Sequence, residues 1–160
     1  ANVQFTSGID STYDAYKFVI SGARPVTDDV DLNVFFSVDA GSNYLSNPYQ
    51  YALLSTDSGG NAENLQSGNA GDLRISGDDI GNATDESYSA EVVLYNPSNT
   101  THHKHITFLG AYIDHASLPN FVVGAGSNTG SVAAVTGIKF EFSSGNIAEG
   151  SFTMYGIAKA

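Results

Sequence analysis

Three of the four histidines of this 160-residue chain fall in one run, Thr100-Thr101-His102-His103-Lys104-His105. Successive side chains of an extended strand point to opposite faces, so His103 and His105 share a face. An H-x-H pair of this kind can chelate a transition metal, and symmetry can gather such pairs about an axis into a structural site. The plainer account is a polar strand start facing solvent, because no carboxylate or cysteine lies at ligand spacing. Asp28-Asp29-Val30-Asp31 and Asp78-Asp79 are the carboxylate clusters. Hard cations such as Ca²⁺ take several oxygen ligands, which makes Asp28, Asp29 and Asp31 the candidate calcium ligands. Neither cluster has the alternating acidic order of an EF-hand loop, so a solvated turn with solubilising charge is the competing account.

Catalytic chemistry finds less support. His115, between Asp114 and Ala116, is the one histidine outside the run and reads as a loop or strand-end residue rather than a base. No nucleophile elbow, phosphate-binding Walker loop or H-E-x-x-H zinc motif occurs, so no catalytic residue is assigned and the chain is expected to be non-enzymatic. A hydrolytic pair of carboxylates is not legible among seventeen acidic residues, since some pair will fall at a suitable separation by chance. The sequons Asn82-Ala83-Thr84 and Asn99-Thr100-Thr101 read as turn residues. Tyrosines are a better lead. Tyr44, Tyr49 and Tyr51 surround Asn47-Pro48, and Tyr13 sits in an early turn. Rings on loops can stack on sugars or anchor an interface, although tyrosines also cap the ends of a core.

The elements that must carry these residues are strands. Gly is frequent at 17, aromatics comprise 9 Tyr and 9 Phe, and Ser, Thr and Asn separate short apolar runs. Strands are expected at 3–6, 15–21, 30–39, 49–55, 72–76, 87–96, 104–113, 120–124, 135–142 and 150–157, with 61–70 a loop. Val30, Leu32, Val34, Phe36 and Val38 alternate cleanly, as do Tyr16, Phe18 and Ile20, and Ala90, Val92 and Leu94. Alternation of this kind marks antiparallel strands buried on one face. Phe35, Val93 and Tyr95 interrupt the polar face and are the expected subunit contacts. Asp39-Ala40-Gly41-Ser42-Asn43, Asp57-Ser58-Gly59-Gly60-Asn61 and Gly126-Ser127-Asn128-Thr129-Gly130 supply the breaks. The expected fold is all-β, one domain over residues 1–160, an antiparallel two-sheet sandwich of about ten strands wound as a jelly roll, with an immunoglobulin-like sandwich second.

Composition narrows the partners. Seventeen acidic residues against six basic ones give a formal charge of −11, which repels a phosphate backbone and argues against nucleic-acid binding. No cysteine is present, so neither disulfides nor thiolate metal sites contribute. No apolar run approaches the roughly 18 residues of a membrane helix, and Ala1-Asn2-Val3-Gln4 lacks the basic start of a signal peptide. Neither membrane insertion nor export through the general secretory route is expected.

The stretch Val135–Ile157 (VTGIKFEFSSGNIAEGSFTMYGI) reads as one β-hairpin, two alternating apolar segments about the turn Ser143–Asn146. Ile138, Phe140, Phe142, Phe152 and Met154 are its expected core residues. Its wording resembles the closing segment of β-rich domains in tailed-bacteriophage tail fibres and related virion appendages. Three further blocks are similar to the same family in the same order: Phe5–Tyr16 to an opening strand and turn, Leu32–Tyr44 to a hairpin, and Val93–Ala111 to another hairpin. The resemblance implies a non-enzymatic virion structural protein, assembled in the host bacterial cytoplasm. Such a protein would form a tail-fibre or receptor-binding tip, or decorate the capsid surface. Its implied partners are other virion proteins and copies of itself, a homotrimer being the default for a fibre tip because a three-fold ring closes. A carbohydrate-binding module recognising host surface glycan is the alternative, and a polysaccharide depolymerase comes third. No cofactor is expected beyond a structural metal ion.

Overall fold

The computed structural model describes residues 1–77 and 79–158, and among these all regular structure is β-strand. Eleven strands follow one another: β1 (Val3–Phe5), β2 (Ala15–Pro25), β3 (Leu32–Ser37), β4 (Tyr49–Asp57), β5 (Ala62–Ala70), β6 (Leu73–Arg74), β7 (Tyr88–Tyr95), β8 (His105–Ile113), β9 (Pro119–Asn128), β10 (Gly137–Phe142) and β11 (Ile147–Ile157). They form a four-stranded sheet, β1-β10-β3-β6, and a seven-stranded sheet, β11-β2-β7-β8-β9-β4-β5. Every pairing is antiparallel.

The connectivity is that of a jelly roll. β4 pairs with β5, β3 with β6, β2 with β7 and β1 with β10. These are successively outer rungs of one long antiparallel ribbon, laid down alternately in the two sheets, which is how a jelly roll winds. Two additions depart from the minimal pattern. The meander β7-β8-β9 fills the gap between β7 and β4, and β11 extends the larger sheet beyond β2.

The expected alternation is what fills the core. Tyr16, Phe18 and Ile20 on β2, Leu32, Val34 and Phe36 on β3, and Ile138, Phe140 and Phe142 on β10 are all buried, and Phe152 and Met154 pack against them half-buried. Phe18 and Phe140 pack tilted with centroids 5.5 Å apart and Phe5 leans on Phe18 at 5.2 Å. Each buried ring contributes roughly 1.5–3 kcal/mol through removal from water. Buried tyrosines place their hydroxyls on backbone: Tyr49 Oη accepts from Phe36 N at 2.8 Å, and Tyr88 Oη donates to Ile75 O at 2.6 Å.

Four expectations need correction. The closing stretch is not a hairpin: β10 lies between β1 and β3, while β11 pairs with β2 in the other sheet. Alternation identifies both strands but carries no information about pairing, and two apolar faces satisfy each other equally well across a sandwich. Leu32–Tyr44 is likewise no hairpin, since the turn after β3 leads to β4 in the other sheet. The expected loop at 61–70 is, from Ala62 on, the edge strand β5. Its register puts Leu65 opposite Leu53, and its remaining residues are polar or small because one strand edge and one face meet water. Within the expected break at 126–130, Gly126, Ser127 and Asn128 continue β9 by pairing with Tyr51, Gln50 and Tyr49.

Candidate functional site

The candidate calcium ligands are dispersed. Asp31 forms an ion pair with Arg74, and Asp28 Oδ1 accepts from Asn82 N at 3.1 Å. Asp29 joins a different group. Val30 bridges Ile80, which bridges Asp114, so three segments lie side by side. This brings Asp29, Asp79 and His115 together with one ligand atom from each within 4.8 Å of the others. His115 N donates to Asp79 O at 2.9 Å, and His115 Nδ1 lies 3.7 Å from Asp79 Oδ2. Asp29 (φ 60°) and Asp79 (φ 72°) both take the left-handed conformation that aspartate tolerates better than most residues. Asp114 stands apart: its Oδ1 accepts from Ala116 N at 2.9 Å and Leu118 N at 2.8 Å, and its Oδ2 from Asn120 Nδ2 at 2.9 Å. Two carboxylates and an imidazole are a donor set for a divalent ion, yet Asp29 and His115 are exposed, and a His115–Asp79 ion pair accounts for the approach without one. Asp78 lies outside the described residues.

His103 and His105 do share one surface, the outer face of the seven-stranded sheet. His103 precedes β8, and its Nδ1 donates to Ser131 O at 3.1 Å, which leaves Nε2 of the neutral ring as an acceptor. Lys104 between them turns inward, where Nζ donates to His102 O at 2.9 Å and Val132 O at 2.5 Å; burial pushes its pKa down. The two histidines stand on one wall of an open trough of about 610 Å³. Its shape follows from register. Across β8, β9, β4 and β5 one row reads Thr107, Ala125, Ala52, Gln66, and the next reads His105, Ser127, Gln50 across three of them. Two alanines side by side form a low floor between taller side chains. Ser127 Oγ is held by Lys104 O at 2.7 Å and Thr107 Oγ1 lies 3.0 Å from Tyr95 Oη.

The tyrosine group is divided three ways. Tyr49 is wholly buried, and burial pushes its hydroxyl up to about 12. Tyr44 donates to Gln4 Oε1 at 2.9 Å and receives Lys139 Nζ over its ring at 4.9 Å. Tyr51 borders the trough but packs half-buried against the core, on the face opposite Gln50 and Ala52. The asparagine–proline bond between Tyr44 and Tyr49 is cis.

The expected subunit contacts lie on opposite outer faces. Phe35 sits on the outside of the four-stranded sheet, covered by Lys139 Nζ at 4.2 Å from its centroid and packed edge-on against Tyr49 at 6.2 Å. Val93 and Tyr95 are on the outside of the larger sheet. Sequence reasoning missed a stronger feature beside them. Leu54, Val123 and Leu109 are direct cross-strand neighbours, with Phe121 one residue pair along, and they are 57, 39, 49 and 47% exposed. The signal was present as consecutive apolar residues, Leu53-Leu54 and Phe121-Val122-Val123. Whichever member of such a pair faces the core, its neighbour faces out.

No protein-family model, curated protein or solved structure matches the chain.

Proposed function

We propose that the chain is a non-enzymatic structural module of a tailed-bacteriophage virion, an appendage or surface domain that assembles through the outer face of its seven-stranded sheet. The carrying observation is the exposed apolar row Leu54–Val123–Leu109 with Phe121. Contiguous apolar side chains across adjacent strands keep an unfavourable contact with water that burial against a neighbour removes. Lys17 and Glu91, 2.6 Å apart on the flanking strands, give the patch a polar border, the arrangement usual at protein interfaces. The blocks that resemble phage appendage domains supply the virion context, and a three-fold ring of identical subunits is the closed arrangement proposed for it.

The test is light scattering on the wild type beside a Leu109→Ser/Phe121→Ser variant, with immunogold labelling of particles. Trimeric wild type, a monomeric variant and label on the particle support the reading. A monomeric wild type together with unlabelled particles sinks it.

A further inference from the structure

We propose that the trough across β8, β9, β4 and β5 binds an uncharged oligosaccharide. The chain carries seventeen carboxylates, yet no carboxylate or ammonium group lines this trough among the described residues; its polar groups are amides, hydroxyls and imidazoles. Amides and hydroxyls both donate and accept, as sugar hydroxyls do, whereas a charged ligand would find no opposite charge there. Gln50, Gln66 and His105 make no side-chain hydrogen bond to the protein among the described residues and are free to engage a ligand, while His103 is fixed by Ser131 O with an acceptor nitrogen remaining.

Dimensions agree with this ligand. From Thr107 to Gln66 the trough crosses three strand spacings, about 14 Å, which admits a pyranose ring lying on the Ala125–Ala52 floor. The volume of about 610 Å³ lies within the ordinary range of ligand clefts. A peptide fits less well. Extended peptides gain affinity from main-chain hydrogen bonds at a sheet edge, and here the strand backbones of the floor are already paired on both sides. The site borders the apolar row without sharing a residue with it: on β9, Ala125 of the floor and Val123 of the row are two residues apart on one face, about 7 Å.

The experiment is binding of the full chain to an array of neutral hexose and N-acetylhexosamine oligosaccharides printed beside uronate- and sialate-bearing ones, followed by calorimetry with the best binder. Ala125 is exposed, so Ala125→Phe fills the floor with a side chain that strands accept. It is expected to abolish binding with an unchanged melting temperature, while Gln66→Ala and His105→Ala each weaken binding about five- to tenfold. The proposal is overturned by the absence of any neutral binder, by preference for acidic sugars, or by undiminished affinity in Ala125→Phe. Repeating the measurement on Leu109→Ser/Phe121→Ser, which is expected to bind normally, separates failure here from failure of the assembly reading.

Discussion

Phe140 of β10 and Phe152 of β11 face each other across the sandwich with ring centroids 5.5 Å apart, although their strands belong to different sheets. The contact closes the end of the sandwich where β11 extends the larger sheet. Phe140 is fully buried and also meets Phe5 and Phe18, while Phe152 is half-buried. Phe140→Ala is therefore expected to cost about 3–5 kcal/mol in urea unfolding and Phe152→Ala about half as much. Equal costs would contradict the placement of β11 at an edge.

Gly124 is the second expected point of sensitivity. It pairs with Phe108, and a Cβ there would stand 2.4 Å from Phe108 Cζ and 2.7 Å from Leu53 Cβ. Gly124→Ala should cost about 1–3 kcal/mol through overpacking. At Gly68 nothing lies within 4 Å of an added Cβ, so Gly68→Ala should stay within about 0.5 kcal/mol of wild type. Chemical denaturation of the two variants decides the matter, and similar costs would show that the core near Phe108 yields freely.

Acid should destabilise the fold through its turns. Asp39 and Asp57 each clamp an asparagine four residues on: Asn43 N and Nδ2 donate to Asp39 at 2.9 and 2.8 Å, and Asn61 N and Nδ2 to Asp57 at 2.8 and 2.6 Å. These hydrogen bonds, led by the asparagine side chains, hold both carboxyls below their ordinary value. A carboxyl lowered in the folded state contributes stability that is complete above its unfolded pKa, about 4, and is lost as pH falls through the folded value. Urea midpoints from pH 5 to 2 should fall, and less steeply in Asp57→Asn. An unchanged slope would mean the clamp does not survive in solution.

Alkali acts through Tyr49, pushed up to about 12 by burial. Its contribution is complete below the unfolded pKa of about 10 and declines as pH rises toward 12. Tyr49→Phe should make the alkaline decline shallower without abolishing it, because burial raises Tyr88 as well, and should leave Phe36 N without its acceptor, costing about 1–3 kcal/mol at neutral pH. Absorbance titration of tyrosinate checks the first part and denaturation the second.

Divalent cations are expected to matter little, because Asp28 and Asp31 already have protein partners. A chelator should leave the melting temperature within about 1 °C of its value in excess calcium, whereas 1,000 Kd of a bound ion would stabilise by about 4 kcal/mol. A rise of several degrees with calcium, lost in Asp79→Asn, would instead make Asp29, Asp79 and His115 a real cation site.

Much of the fold is legible in residue order. Period-two spacing marks the inward residues of β2, β3, β7 and β10 because a pleated strand has only two faces, and the clamps Asp39–Asn43 and Asp57–Asn61 follow from turn chemistry in a few consecutive residues. β5 was not legible: an edge strand with water on one side and one face needs no apolar alternation, and pairing with β4 creates it.

Sites divide along the same line. The sequence by itself determined which side chains of one strand share a face, as for Tyr16, Phe18 and Ile20 on β2; His105 opens β8 but His103 precedes it, so alternation within a strand does not account for their meeting at the trough. Only the tertiary structure decided that Asp29, Asp79 and His115 meet, that Phe35 and Val93 lie on opposite faces, and that two alanines from β4 and β9 make the floor of a trough. These are relations between segments far apart in the chain. Local geometry cannot specify them, because register and sheet assignment are chosen by the joint burial of all eleven strands.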